Sequence, residues 1–250
     1  MIYSKYLNDN FLAFAHRGGN DFGPENSLKS FLGAYEIGYK YLETDVHLSK
    51  DGHLVAFHDE SLDRVTNKTG LIKDLKLSDI KKAKIDNSEE IPTLIELLDN
   101  IPNCFFNIDC KSDDTVIPLI EVIKKFSLFN RVCIGSFSQK RINFIRESLG
   151  SKVKTSMGPS EILLAKVLSN LPIKKVFKSA YASLPIRRYG IELLNKKNIN
   201  FLQRNNQKVI AWTINDESEM RLLIERGVDG IMTDKILLLK KILIEQNKWK

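Results

Sequence analysis

Cysteine is scarce in this chain: Cys104, Cys110 and Cys133 are the only three among 250 residues. An odd count without C-x-x-C spacing supplies neither a disulfide framework nor a zinc cluster, and their apolar neighbours suit buried thiols. Long hydrophobic runs are missing as well. A membrane-spanning helix takes about 20 mainly apolar residues, and no stretch approaches that length. The opening MIYSKYLNDN lacks the apolar core of a secretory signal, and the FLAFA that follows is too short to act as one. The expected compartment is therefore the cytoplasm. No G-x-G-x-x-G follows the first strand-like run and no Walker sequence occurs, so a nucleotide-binding open sheet lacks its usual markers. Short-period repeats and low-complexity segments are absent too.

What is present is an ordinary globular composition, 43% hydrophobic and 28% charged, enough to fill a core. Length alone leaves open one large domain or two small ones, and (β/α)₈ barrels cluster at about 250 residues. The 38 basic against 31 acidic residues give a net charge of +7. Such a surplus suits anionic ligands or surfaces. The lysines are spread rather than gathered in one tract, so no nucleic-acid partner is expected.

Short apolar runs alternate with amphipathic segments, the pattern of a parallel sheet with crossover helices. A first strand over residues 11–15 ends at His16, and Asn26-Ser27 opens a helix that Gly38 closes. A second strand covers 41–46. Asp51-Gly52 makes a hairpin-type turn into a run over 53–57 that ends in His58-Asp59. Residues 61–91 are polar and lysine-rich, too short and polar to bury much of a core, and read as an excursion from the main repeat. Strands follow at 104–110, 131–137, 153–157, 176–180, 209–214 and 229–232, with helices over 94–98, 116–126, 142–149, 195–205 and 217–226 and a last helix after the final strand. That makes about eight main strands, the number that closes a TIM barrel.

The chemistry gathers within residues 11–59. Glu43 and Asp45 lie two apart on a strand, so both face one side while Thr44 faces the other. Two carboxylates pointing inward repel each other and are costly to desolvate without a cation, and hard divalent metals accept oxygen ligands. A lone E-x-D more often marks a strand reaching solvent. Asp109 and Lys111 repeat the spacing on the third strand, as a further oxygen donor and a cation for an anionic substrate, or as an internal salt bridge. His16 and His58 each close an apolar run, and two imidazoles can divide acid and base roles. A single strand-end His is more often a polar rim residue, and His47 and His53, which flank the Asp51-Gly52 turn, receive no role. The turn Arg17-Gly18-Gly19 lets backbone amides and a guanidinium approach an anion. Trp212 suits core packing or an apolar pocket wall.

Taken together, HRGGNDFGPENSLKSFLGAYEIGYKYLETDVHLSKDGHLVAFHD resembles the signature of the glycerophosphodiester phosphodiesterase family. Its parts are HRG, PEN, E-x-D, DG and HD in that order. The likeness continues through Leu62-Asp63-Arg64-Val65-Thr66, Gly70, Ile91-Pro92-Thr93-Leu94, Asn107-Ile108-Asp109-Cys110-Lys111, Ser136-Phe137, Ala211-Trp212-Thr213-Ile214-Asn215 and the segment from Gly227 through Asp229 to Asp234. It covers nearly the whole chain and is loose only over residues 149–189.

The resemblance implies a single TIM (β/α)₈ barrel over residues 1–250 with a small insertion after the second strand, at about 47–91. It implies hydrolysis of glycerophosphodiesters, such as glycerophosphocholine or glycerophosphoethanolamine, to sn-glycerol 3-phosphate and an alcohol. His16 takes the place of the base and His58 that of the acid. A divalent metal, Ca²⁺ or Mg²⁺, falls to Glu43, Asp45 and Asp109. Arg17 and Lys111 take the phosphate contacts, and Phe137 and Trp212 border the glycerol. One position departs from the family, which usually has Glu where this chain has Asp109. The side chain is one methylene shorter, so direct ligation needs a water or a shift of the metal. Two rival readings are a lysophospholipase D acting on lysolipids and a non-catalytic barrel that binds anionic ligands. The basic, partly apolar C-terminal KILLLKKILIEQNKWK suits the last barrel helix more simply than a membrane-surface helix.

Overall fold

A computed structural model describes residues 9–174 and 177–249. Eight parallel strands form its centre: β1 (Leu12–Ala15), β2 (Tyr41–Leu48), β3 (Phe105–Cys110), β4 (Val132–Gly135), β5 (Lys154–Thr155), β6 (Tyr181–Leu184), β7 (Lys208–Ala211) and β8 (Gly230–Thr233). They pair in the order β5-β4-β3-β2-β1-β8-β7-β6. A parallel bridge between Ser156 and Tyr181 joins the two ends, supported by Ala180 N–H to Thr155 O at 2.8 Å and Met157 N–H to Tyr181 O at 2.9 Å. The sheet therefore closes into a TIM barrel, as the strand count suggests.

Alternation along each strand sorts residues into two cores, because successive side chains point to opposite faces. Ala13, Leu42, Phe106, Ile108, Ile134 and Ala182 face outward and join a large apolar layer under the helices. Leu12, Phe14, Tyr41, Cys133, Tyr181, Ile210 and Met232 face inward and fill the barrel. There Phe14 packs on Tyr41 and Tyr181, with ring centroids 5.2 and 6.1 Å away. All three cysteines are free and buried.

The outer ring holds α1 (Leu28–Glu36), α2 (Leu94–Asn100), α3 (Val116–Lys125), α4 (Gln139–Leu149), α5 (Pro159–Leu168), α6 (Lys196–Arg204), α7 (Glu217–Arg226) and α8 (Ile236–Glu245). Local chemistry sets where several of them start. Ser27, Ser138, Asn195 and Asp216 each accept a backbone N–H three residues on, and Thr93 with Glu96 makes a reciprocal capping box. α8 buries Ile236, Leu239, Ile242 and Leu243, and Trp249 beyond it packs edge-on against Tyr39 at 5.0 Å. That face packs on the barrel, while Leu237 and Ile244 on the same helix are exposed. No helix among the described residues is long and apolar enough to cross a membrane.

Between β2 and α2 the chain makes an excursion. Leu54–Ala56 pairs antiparallel with the end of β2, and a short helix, Leu77–Ile80, and a two-stranded ribbon follow. This segment carries more core than its polar sequence suggests. Phe57, Leu62, Ile72, Ile80, Ile85 and Ile91 are buried together with Val55, because most of the few apolar residues turn to one side; Leu71 is exposed.

Other differences are local. The sixth strand begins at Tyr181, after the expected run over 176–180, and Val176 of that run lies outside the described residues. The fifth strand is only Lys154–Thr155. Outside the excursion, α5 and the hairpin formed by Arg187–Arg188 and Ile191–Glu192 have no counterpart in the sequence pattern. Apolar residues surround α5 rather than forming a stripe: Leu163 and Val167 are exposed on it, which blurs its periodicity.

Closure makes one small residue essential. A methyl group on Gly230 would lie 2.3 Å from Leu12 O and 2.7 Å from Leu12 Cβ, a backbone collision that a rotamer change cannot relieve. Gly230→Ala is expected to cost about 1–3 kcal/mol or more by overpacking, read as a lower urea midpoint at unchanged slope. An unchanged midpoint would mean that β1 and β8 separate more easily than their pairing implies.

Candidate active site

All the residues singled out from the sequence line one cavity of about 140 Å³: His16, Arg17, Glu43, Asp45, His58, Asp109, Lys111, Phe137 and Trp212. They stand at the C-terminal ends of the strands or in the loops just beyond, the face where such barrels gather functional groups.

Register explains the acidic cluster. Glu43 lies opposite Asn107 and Asp45 opposite Asp109 on the adjacent strand, so all four side chains enter the barrel. Lys111 Nζ sits 2.8 Å from both Asp45 Oδ1 and Asp109 Oδ2. Desolvation disfavours the ammonium, but the two carboxylates outweigh it and push the lysine pKa up. Burial works against ionisation of Asp45, but Lys111 and Arg17 together hold its pKa below the usual carboxylate value. Glu43 has less help: burial and then the neighbouring Asp45 push its pKa up to about 7.

The β1 loop brings the next groups. Arg17 adopts φ 51°, and Gly18 follows at φ 85°. A Cβ on Gly18 would meet Ser30 Oγ at 2.4 Å and Phe31 N at 2.9 Å, so glycine lets this turn lie against the start of α1. Arg17 N–H donates to Glu43 Oε2 at 3.1 Å, and its guanidinium pairs with Glu25 at 3.0 Å. Arg17 Nε lies 3.2 Å from Asp45 Oδ2, but the geometry is not that of a hydrogen bond, and this buried donor has no hydrogen-bond partner among the described residues. A buried N–H in that state favours an incoming acceptor such as a phosphate oxygen.

Each cavity histidine is braced by a carboxylate. His16 Nδ1 is 2.6 Å from Asp234 Oδ1, and its Nε2 is 3.8 Å from Glu43 Oε2. Burial alone would lower the His16 pKa, but Asp234 and Glu43 reverse this and raise it. His58 Nδ1 lies 2.6 Å from Asp59 Oδ1, and Arg64 joins Asp59 to Glu25. Burial resists ionisation of Asp59, yet Arg64 and His58 bring its pKa down to about 2.

Several of these partners are not marked out by the sequence. Asp59 and Asp234 sit inside the quoted motifs, but the pairing of His16 with a residue 218 positions away leaves no local trace. His47, to which the sequence gives no role, is buried with Nε2 3.0 Å from His58 O. Asn26 holds the loop to β2, accepting from Thr44 Oγ1 at 2.9 Å and donating to Asp45 at 3.4 Å. Arg188 lines the cavity mouth from the hairpin that follows β6.

Whether a divalent metal suits the site can be judged from its donors. Three buried carboxylates are the hard oxygen donors such a cation takes, and the Glu43 pKa is raised first by burial and then by the Asp45 charge beside it. The donor chemistry fits. The arrangement is not a ready shell, since no three His, Cys, Asp or Glu side chains among the described residues are grouped to hold an ion.

Known proteins resemble this chain in sequence and fold. Residues 16–238 match the model of the glycerophosphoryl diester phosphodiesterase family. A glycerophosphodiester phosphodiesterase of Caldanaerobacter subterraneus subsp. tengcongensis is 32% identical over 246 residues, covering 89% of this chain and 93% of its own. A crystal structure of a glycerophosphodiester phosphodiesterase from Agrobacterium tumefaciens has the same fold, with TM-score 0.74 at 23% identity over 92% of this chain and 98% of that one. An Oleispira antarctica phosphodiesterase, solved with its product sn-glycerol-3-phosphate, matches with TM-score 0.76 at 25% identity over 93% of this chain and 96% of that one. The chain belongs to the glycerophosphoryl diester phosphodiesterase family and is an enzyme of that hydrolase class.

Proposed function

We propose that the enzyme hydrolyses glycerophosphodiesters to sn-glycerol 3-phosphate and an alcohol, using His16 and His58 as base and acid. The observation that carries this reading is the cavity itself: two carboxylate-braced imidazoles share it with Arg17 and Lys111. A diester phosphate brings one negative charge and oxygens that accept hydrogen bonds. Arg17 Nε and the Lys111 ammonium are the donors for those oxygens, and both matter more as charge builds on them in the transition state.

His16 Nε2 removes the proton from the attacking oxygen, which bonds to phosphorus as the bond to the leaving alcohol breaks. His58 donates a proton to the departing alkoxide through its Nε2. Asp234 and Asp59 hold the opposite ring nitrogens, which fixes each ring's orientation and tautomer. A divalent cation held by Glu43 and Asp45, with Asp109 as third donor, would withdraw charge from the phosphate oxygens. Phe137 and Trp212 meet edge to face with centroids 5.7 Å apart and offer the glycerol carbons an apolar wall.

Three measurements test this. Purified His16→Ala and His58→Ala should each lose roughly 10²–10⁴-fold in turnover if both transfer protons; near wild-type activity in either removes that residue from the scheme. Release of sn-glycerol 3-phosphate from glycerophosphocholine, followed with a coupled dehydrogenase, should cease after exhaustive dialysis against EDTA and return with Ca²⁺ or Mg²⁺. Full activity after chelation argues against an exchangeable ion, and failure with every glycerophosphodiester and lysolipid points to a binding protein. For Asp109→Ala, the cation concentration giving half activity should rise about tenfold or more if the carboxylate is a ligand. A change confined to substrate KM would instead limit its role to holding Lys111.

A further inference from the structure

The hairpin between β6 and α6 places a cation at the mouth of the cavity that the chemistry above leaves unused. Arg188 lines the cavity from the strand Arg187–Arg188, paired antiparallel with Ile191–Glu192. Its guanidinium carbon lies 5.7 Å from the centroid of Phe137 and 5.4 Å from that of the exposed Tyr189. No carboxylate among the described residues pairs with it. Glu192, the acidic residue of the same hairpin, is taken by Arg226 at 2.7 Å.

Charge is therefore arranged unevenly along the cavity. Its acidic lining residues are Glu43, Asp45 and Asp109, and Lys111 bonds to two of them. Lys111 Nζ also lies 5.7 Å from the Phe137 centroid, so Lys111 and Arg188 are at most twice that distance apart. A substituent a few bonds beyond a phosphate at Lys111 can span this gap. Phe137 meets Trp212 edge to face and is 53% exposed, so the ring that walls the glycerol also reaches solvent, and the alcohol arm is taken to leave along its exposed side toward Arg188. A quaternary ammonium, which would seek an aromatic face, meets a ring already attended by two cations.

We propose that Arg188 sets head-group specificity, and that the preferred diesters carry an anionic group, a phosphate or a carboxylate, on the alcohol arm. This rests on the hydrolytic reading above. The guanidinium meets the anion with paired N–H donors, and repulsion from Arg188 and Lys111 disfavours a cationic alcohol.

The test compares kcat/KM for three diesters at one saturating cation concentration: glycerophosphoglycerol phosphate, glycerophosphoglycerol and glycerophosphocholine. The wild type should favour the first by about tenfold over the second, the worth of one charge-assisted contact at a half-exposed site. Arg188→Ala should abolish that preference while turnover of the neutral diester stays within about twofold, which also shows that the variant folds. Arg188→Glu should turn the preference toward the choline ester. An equal fall on all three substrates, or no wild-type preference, overturns the assignment. Calorimetry on His58→Ala, with and without Arg188→Ala, separates the two levels of the argument. If the wild type cleaves nothing but the phosphorylated diester still binds more tightly through Arg188, hydrolysis fails and the recognition stands; equal affinities remove the recognition.

Discussion

Three carboxylates inside a closed barrel are the constraint on which the site depends. Glu43, Asp45 and Asp109 project inward because of strand alternation, and the adjacent registers of β2 and β3 leave them no way to separate. Buried like charges are costly unless cations or protons join them. The protein answers in three ways: Lys111 bridges Asp45 and Asp109, Arg17 approaches from the β1 loop, and Glu43 drifts toward its protonated form. A cation that displaced the proton from Glu43 would offset the same charge.

Charge matching governs the histidines as well. Burial and the nearby Arg17 work against charge on His16, and the Asp234 carboxylate 2.6 Å from its Nδ1 counters them. His58 has the same brace in Asp59, also at 2.6 Å. Asp59 is in turn held by Arg64, which reaches on to Glu25, and Glu25 also grips Arg17. Loops after β1 and β2 are thereby tied into one charged chain around the cavity. The small core under the excursion after β2 gives Arg64 and Asp59 a firm base, so that segment serves the site although it lies outside the barrel repeat.

Much of the site can be read from residue spacing. Glu43 and Asp45 fall on one face because they are two apart on a strand, and the apolar runs ending in His16 and His58 mark strand ends. Periodicity is informative where one face is buried and the other wet, as in α1. It fails at α5, apolar nearly all round, and at β5, two residues long. The apolar positions of residues 61–91 are spaced by turns rather than by a helix or strand period, so their shared core does not show in the pattern.

Local sequence dictates which groups are available and which way the strand residues face, because a two-residue alternation leaves little freedom once a strand is buried. Some partners are local, as Asp59 is to His58, but others come only from the tertiary fold. Closure of the sheet brings β8 beside β1, and with it Asp234 to His16 across 218 residues. The pairing of β2 with β3 stands Lys111 between two carboxylates rather than beside one, and the hairpin after β6 carries Arg188 to the cavity. The His16–Asp234 and Lys111–Asp45 pairs join neighbouring strands that lie far apart in the chain, so distance along the chain does not report distance through the fold.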